Sequence, residues 1–146
     1  MTQNDLKNFQ LLVGEAIMYF QTIEHDIRII YAAMKVGDLY KELERIESEK
    51  WTLGQTIVEL EKLDLSDGKA YISNSDYKFL KTLTWKRNNI VHKTYQNFLY
   101  EGNVDVQDEK FRKEYKDLQE YTQKMRQVYK TIEETRLKAL KDFRNI

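Results

Sequence analysis

The sequence predicts an all-α domain, an antiparallel bundle of four to five helices occupying residues 1–146 as one unit. Three observations carry that prediction. The chain has no proline and only 5 glycines in 146 residues, so it lacks the punctuation that hairpins and sandwiches need. Its hydrophobic share of 41% against 33% charged residues provides a core and solvated outer faces, and is too apolar for a disordered chain. Finally, apolar residues recur in steps of three and four over long stretches, the period of a helix with one buried face.

The first helix rests on Leu6, Phe9, Val13, Ala16, Phe20, Ile23, Ile27, Ile30 and Met34, an unbroken seam of about eight turns. Asn4 or Asp5 is the expected cap and Gly37 the expected end. A second helical region spans about Asp38 to Leu63, with a break or bend near Trp51 to Gly54. Leu63 to Ser75 contains Ser66-Asp67-Gly68 and Ser73-Asn74-Ser75 and reads as a loop. Ser75 or Asp76 then caps a third long helix that runs to about Tyr100, where Glu101-Gly102-Asn103 ends it. Asp105 caps the last helix, about Asp108 to Phe143, whose seam holds Phe111, Tyr115, Leu118, Met125, Ile132 and Ala139. The long first and last helices are expected to pack against each other.

Formal net charge is zero, so no global field points to a nucleic acid. The distribution is uneven, however. Lys78, Lys81, Lys86, Arg87 and Lys93 face Asp76 alone between Asp76 and Tyr100, whereas Asp38 to Asp67 is acidic. A basic third helix is what an RNA-facing surface requires. A solvated face beside an acidic neighbour is the plainer reading.

The absence of cysteine excludes disulfides, thiol nucleophiles and cysteine-based zinc sites, and fits a cytoplasmic protein. Met1 to Asn8 has no apolar signal core, and the longest apolar run, Leu11 to Phe20, is interrupted by Glu15 and too short to span a membrane. His25 and His92 lie far apart with no ligand spacing, so no metal or other cofactor is expected. There is no glycine-rich phosphate loop and no nucleophile elbow.

One stretch is chemically equipped: Arg87-Asn88-Asn89-Ile90-Val91-His92. Imidazole moves a proton near neutral pH, and guanidinium stabilises charge building on phosphate oxygens. On an ideal helix Leu80, Leu83, Ile90, Val91 and Phe98 share a face with Arg87 at its centre, and Thr84 and Thr94 lie there too. A charge centred on an apolar stripe needs a partner or a wet cleft. Glu24 and Asp26, flanking the first helix's seam, are the candidate partners. Arg87 and His92 point about 140° apart, whereas Asn88 and His92 align. A second copy of the helix across a two-fold axis would bring both motif residues into one cleft. Trp85 and Tyr95 flank His92, and with Lys86 and Lys93 they form the expected substrate-contact set. His25 reads as a surface residue.

Arg87, the Asn directly after it and the His five positions on resemble the motif of the HEPN family: Arg, four to six residues, then His, with Asn or Asp commonly following the Arg. The resemblance covers the motif closely and the whole chain as a small helical bundle. It implies a metal-independent endoribonuclease of toxin–antitoxin or anti-phage type, with Arg87, His92 and Asn88 catalytic and RNA the substrate. It also implies a homodimer formed through the motif-bearing helices, and a cognate antitoxin or defence-system partner protein. One HEPN subgroup, paired with a small nucleotidyltransferase antitoxin, has Tyr two residues after the His. Thr94 stands there in this chain and Tyr95 one position later, which argues against control by tyrosine modification and for the abortive-infection-like branches. The alternative reading is a non-catalytic bundle that binds a protein or nucleotide partner, with Arg87 a structural ion-pair residue.

Overall fold

The computed structural model describes residues 1–146 and is helical throughout, with six helices: α1 Gln3–Met34, α2 Leu39–Ser48, α3 Leu53–Leu65, α4 Asn74–Leu80, α5 Leu83–His92 and α6 Val104–Arg144. Consecutive passes run antiparallel, with α4 and α5 together making one descending pass. Five passes leave the first and last helices pointing the same way. Contacts along the α1–α6 seam advance in step: Glu15 with Arg126, Asp26 with Arg136, and Ala32 and Ala33 with Arg144. The two longest helices therefore pack as expected, and they pack parallel.

α1 starts earlier than the sequence suggested. Thr2, not Asn4 or Asp5, is the cap, and Asp5 returns a hydrogen bond to the Thr2 N–H in a capping box. Every member of the predicted seam from Phe9 to Met34 is buried. The helix has no basic residue in its own last turn. Arg144, at the far end of α6, instead donates to the carbonyls of Ala32 at 2.8 Å and Ala33 at 3.0 Å, and to those of Lys35 and Gly37. Carbonyls left over at a helix C-terminus thus anchor the parallel pair. The expected break in the second region lies at 49–52, where Lys50 has φ 55° and Thr52 caps α3.

Asp64 near the end of α3 is buried and organises the following loop. Its carboxylate accepts from the Tyr71 N–H at 2.8 Å, the Ile72 N–H at 3.1 Å and the Tyr77 hydroxyl at 2.7 Å. Ser73, not Ser75 or Asp76, caps α4.

The third long helix does not exist as one element. Thr82 donates both its N–H (2.9 Å) and its hydroxyl (2.7 Å) to the Phe79 carbonyl, so α4 closes in a tight i–3 turn and the chain restarts as α5. α5 stops at His92, where the N–H groups of Lys93 and Thr94 both bond the Asn89 carbonyl. Residues 93–100 are a run of turns. Glu114 fastens them to α6 through Thr94 at 3.2 Å and Asn97 at 2.8 Å. Phe98 reaches the Phe9–Phe111 aromatic cluster, with ring centroids 5.4 and 5.2 Å away. α6 begins at Val104 with Asn103 as its cap, four residues ahead of the Asp108 start expected from an Asp105 cap. No helix is long and apolar enough to cross a membrane.

Candidate functional site

The break in the third helix changes the geometry around the motif. Leu80 and Phe98 no longer share the helical phase of α5, and the buried arc of α5 consists of Leu83 and Ile90. Val91, expected in the core, is 55% exposed. Arg87 lies at the edge of the buried arc and not at its centre, its side chain 33% exposed. That position lets a guanidinium stay wet at one edge while the other meets a partner.

The partner is Glu24, one of the two carboxylates the sequence nominated. Arg87 Nη1 donates to Glu24 Oε2 at 3.1 Å, and Arg28 Nη2 donates to Glu24 Oε1 at 2.9 Å. Asp26 takes a different cation: its buried Oδ1 accepts from Arg136 Nη1 at 3.0 Å and lies 3.3 Å from His25 Nδ1. The His25 ring itself is exposed, as expected.

Trp85, Asn88 and His92 occupy one exposed arc of α5, one and two turns apart. The His92 ring makes no hydrogen bond within the chain, and neither does the Asn88 side chain, so nothing pairs the imidazole with Asn88 or Arg87. None of the five principal surface cavities is lined by Arg87 or His92. A single chain presents the motif on an open surface.

The four expected substrate-contact residues divide. Trp85 is 68% exposed and Lys93 is exposed at the end of α5. Lys86 is half-buried, its ammonium 5.1 Å from the Tyr121 ring centroid and 5.8 Å from that of Trp85, a position that occupies it with cation–π contacts. Tyr95 packs edge-on against Phe9 with centroids 5.5 Å apart, and burial raises its phenol pKa above the ordinary value. It reads as a rim residue of the aromatic core that stays protonated at neutral pH, unsuited to proton abstraction. The basic surface is also thinner than its sequence implied, because Lys81 is paired with Glu61 at 2.7 Å.

Sequence reasoning missed Arg28 and the Trp51 carbonyl to which it also donates at 3.1 Å. The Glu24 to Arg28 spacing, i to i+4 in the favourable order, was the available signal for that pair. No three His, Cys, Asp or Glu side chains gather where they would hold a metal ion. No protein-family model, curated protein or solved structure matches the chain.

Proposed function

We propose that this chain is a metal-independent endoribonuclease of the toxin or anti-phage defence type, similar to HEPN proteins, acting as a homodimer with a composite site. The observation that carries the reading is the placement of Arg87: a partly exposed guanidinium with one N–H engaged, on a short helix whose outer arc presents His92 and Asn88 to solvent. In this mechanism His92 removes the proton of an RNA 2′-hydroxyl. The 2′-oxygen then bonds to the adjacent phosphorus as the bond to the 5′-oxygen breaks. Arg87 stabilises charge on the non-bridging oxygens, Asn88 orients imidazole or phosphate, and the partner's His92 protonates the leaving oxygen. The chain offers no cluster of donors for a cation, so the nucleophile is the sugar hydroxyl already beside the phosphorus. Cleavage is accordingly expected to survive EDTA, to spare single-stranded DNA of the same sequence and to leave 2′,3′-cyclic phosphate ends. A 2′-O-methyl group at the scissile position should block it, and magnesium-dependent cutting would contradict the mechanism.

The dimer is supported by the open motif surface and by apolar side chains on the same stretch of α5. Trp85 and Val91 stay largely exposed in their own chain, and a second copy would both cover them and close a cleft around two motifs. Light scattering at micromolar concentration should report about twice the 17.6 kDa chain mass. A monomer that still cleaves RNA counts against the composite site. A cognate antitoxin or defence-system protein, a cytoplasmic setting and RNA contacts from Trp85 and Lys93 belong to the same proposal.

One observation favours a second reading. The Arg87–Glu24 pair is what a structural arginine makes, and on that reading the bundle is a non-catalytic module for a protein or nucleotide partner. RNA cleavage by wild type and not by His92→Ala separates the two, because an exposed, unbonded histidine has no structural work to do.

A further inference from the structure

Glu24 lies between two guanidiniums and divides its oxygens between them, Oε1 to Arg28 at 2.9 Å and Oε2 to Arg87 at 3.1 Å. The same Arg28 Nη2 reaches the Trp51 carbonyl at 3.1 Å. The chain of bonds thus runs from the link between α2 and α3, through α1, to α5. Its outer anchor is firm, since the buried Trp51 ring packs on Tyr31 with centroids 5.2 Å apart and carries the Arg45 guanidinium 4.9 Å from its own.

Two features distinguish this cluster from a simple cross-helix ion pair. It joins two cations to one anion, so each guanidinium engages only one of the Glu24 oxygens. It also keeps the Arg28 Nε–H buried with no acceptor, an arrangement stability alone does not favour. Arg87 meanwhile has five N–H donors in a rigid plane and engages one of them within the chain. A guanidinium tethered by one nitrogen is limited in where it can swing, and its remaining edge is free for the bidentate contact that phosphate oxygens accept.

We infer that Glu24, braced by Arg28, is a positioning residue that holds the Arg87 guanidinium with its free edge toward the scissile phosphate. The inference rests on the ribonuclease reading above. Glu24 touches neither substrate nor reacting atoms and acts only through Arg87. Misplacing a charge-stabilising group by about 1 Å costs turnover more than affinity.

The test is steady-state cleavage of an oligodeoxynucleotide carrying a single ribonucleotide, by wild type, Glu24→Gln, Arg28→Ala, Arg87→Ala and the Glu24→Gln/Arg87→Ala double variant. Glu24→Gln keeps the size and an acceptor oxygen, so helicity and melting should stay near wild type. Its kcat should fall roughly 10- to 100-fold with KM little changed, and Arg28→Ala should shift in the same direction by less. In the Arg87→Ala background Glu24→Gln should have no further effect, since the two act as one unit. Wild-type kcat in Glu24→Gln, a change in KM alone, additive losses in the double variant, or a Glu24→Gln that does not fold each overturn the inference and leave Glu24 a structural residue. A wild type inert toward RNA fails the ribonuclease reading, and the relay with it, before Glu24 is altered. An active wild type matched by Glu24→Gln fails the relay alone.

Discussion

His92→Ala should lower RNA cleavage by at least ~10²-fold, the typical contribution of a proton-transfer group, while the chain stays folded. The separation of those two outcomes follows from the surroundings of His92. The ring is exposed, makes no hydrogen bond and sits in the last turn of α5, so its removal should change stability by no more than about 0.5 kcal/mol. Arg87→Ala should cause a comparable loss of cleavage and should also fold. Removing Arg87 does not orphan Glu24, because Arg28 still holds the other carboxylate oxygen at 2.9 Å. Circular dichroism melts beside cleavage of total RNA check both variants. Equal cleavage by wild type and His92→Ala would sink the catalytic reading, whereas an Arg87→Ala chain that unfolds would favour the ion-pair reading.

The parts of the fold legible in the sequence were those that a single periodicity decides. The α1 seam from Phe9 to Met34 and the α6 seam through Phe111, Leu118, Met125, Ile132 and Ala139 are both buried as expected, because each stripe keeps one phase for many turns. The interruption between α4 and α5 was not legible. Leu80, Leu83 and Ile90 are all buried, and they fit one continuous helix as well as two short ones. What separates the cases is the Thr82 hydroxyl and N–H sharing the Phe79 carbonyl, a local side-chain bond that periodicity does not register. The misplacement of Val91 and the centring of Arg87 descend from two interruptions, the break that removes Leu80 from the stripe and the end of α5 at His92 that removes Phe98. Direction of packing was equally hidden, since hydrophobic spacing says which face is buried and nothing about parallel or antiparallel partners. The parallel α1–α6 pair follows from counting passes.

The candidate site shows the same division. A carboxylate for Arg87 could be anticipated from a charge beside an apolar arc, and Glu24 is one of the two candidates named. Choosing it over Asp26 required knowing that α6 brings Arg136 to Asp26 while α5 brings Arg87 to Glu24. Nothing in the sequence marks Arg28 as the brace, because its second acceptor is a backbone carbonyl 23 residues away. Backbone acceptors carry no sequence signature.

The largest expected effect on stability is at Asp64, a residue the sequence offered only as part of an acidic stretch. Asp64→Ala removes one acceptor from three donors at once: the Tyr71 and Ile72 N–H groups and the Tyr77 hydroxyl. The Ile72 N–H and the Tyr77 hydroxyl are buried, where water does not replace the lost carboxylate. Burial first, and then the bond to Asp64, holds the Tyr77 phenol far above its ordinary pKa, so it stays a donor at every accessible pH and cannot adapt by ionising. Bonds to a charged acceptor contribute about 1.5–3 kcal/mol each and are not additive, which puts the expected loss at about 3–5 kcal/mol. For a domain of this size that is a fall in Tm of roughly 10 °C or more. Asp64→Asn should recover only part of it, because its amide nitrogen presents a donor to donors. Tyr77→Phe removes donor and need together and should cost about 1 kcal/mol. Asp64 fastens the loop ahead of α4 and Tyr77 within α4, and none of its hydrogen bonds reaches α5 or the motif. At temperatures where Asp64→Ala remains folded, kcat per folded molecule should match wild type. A melt of Asp64→Ala within about 2 °C of wild type would show that the loop is held by something other than this carboxylate.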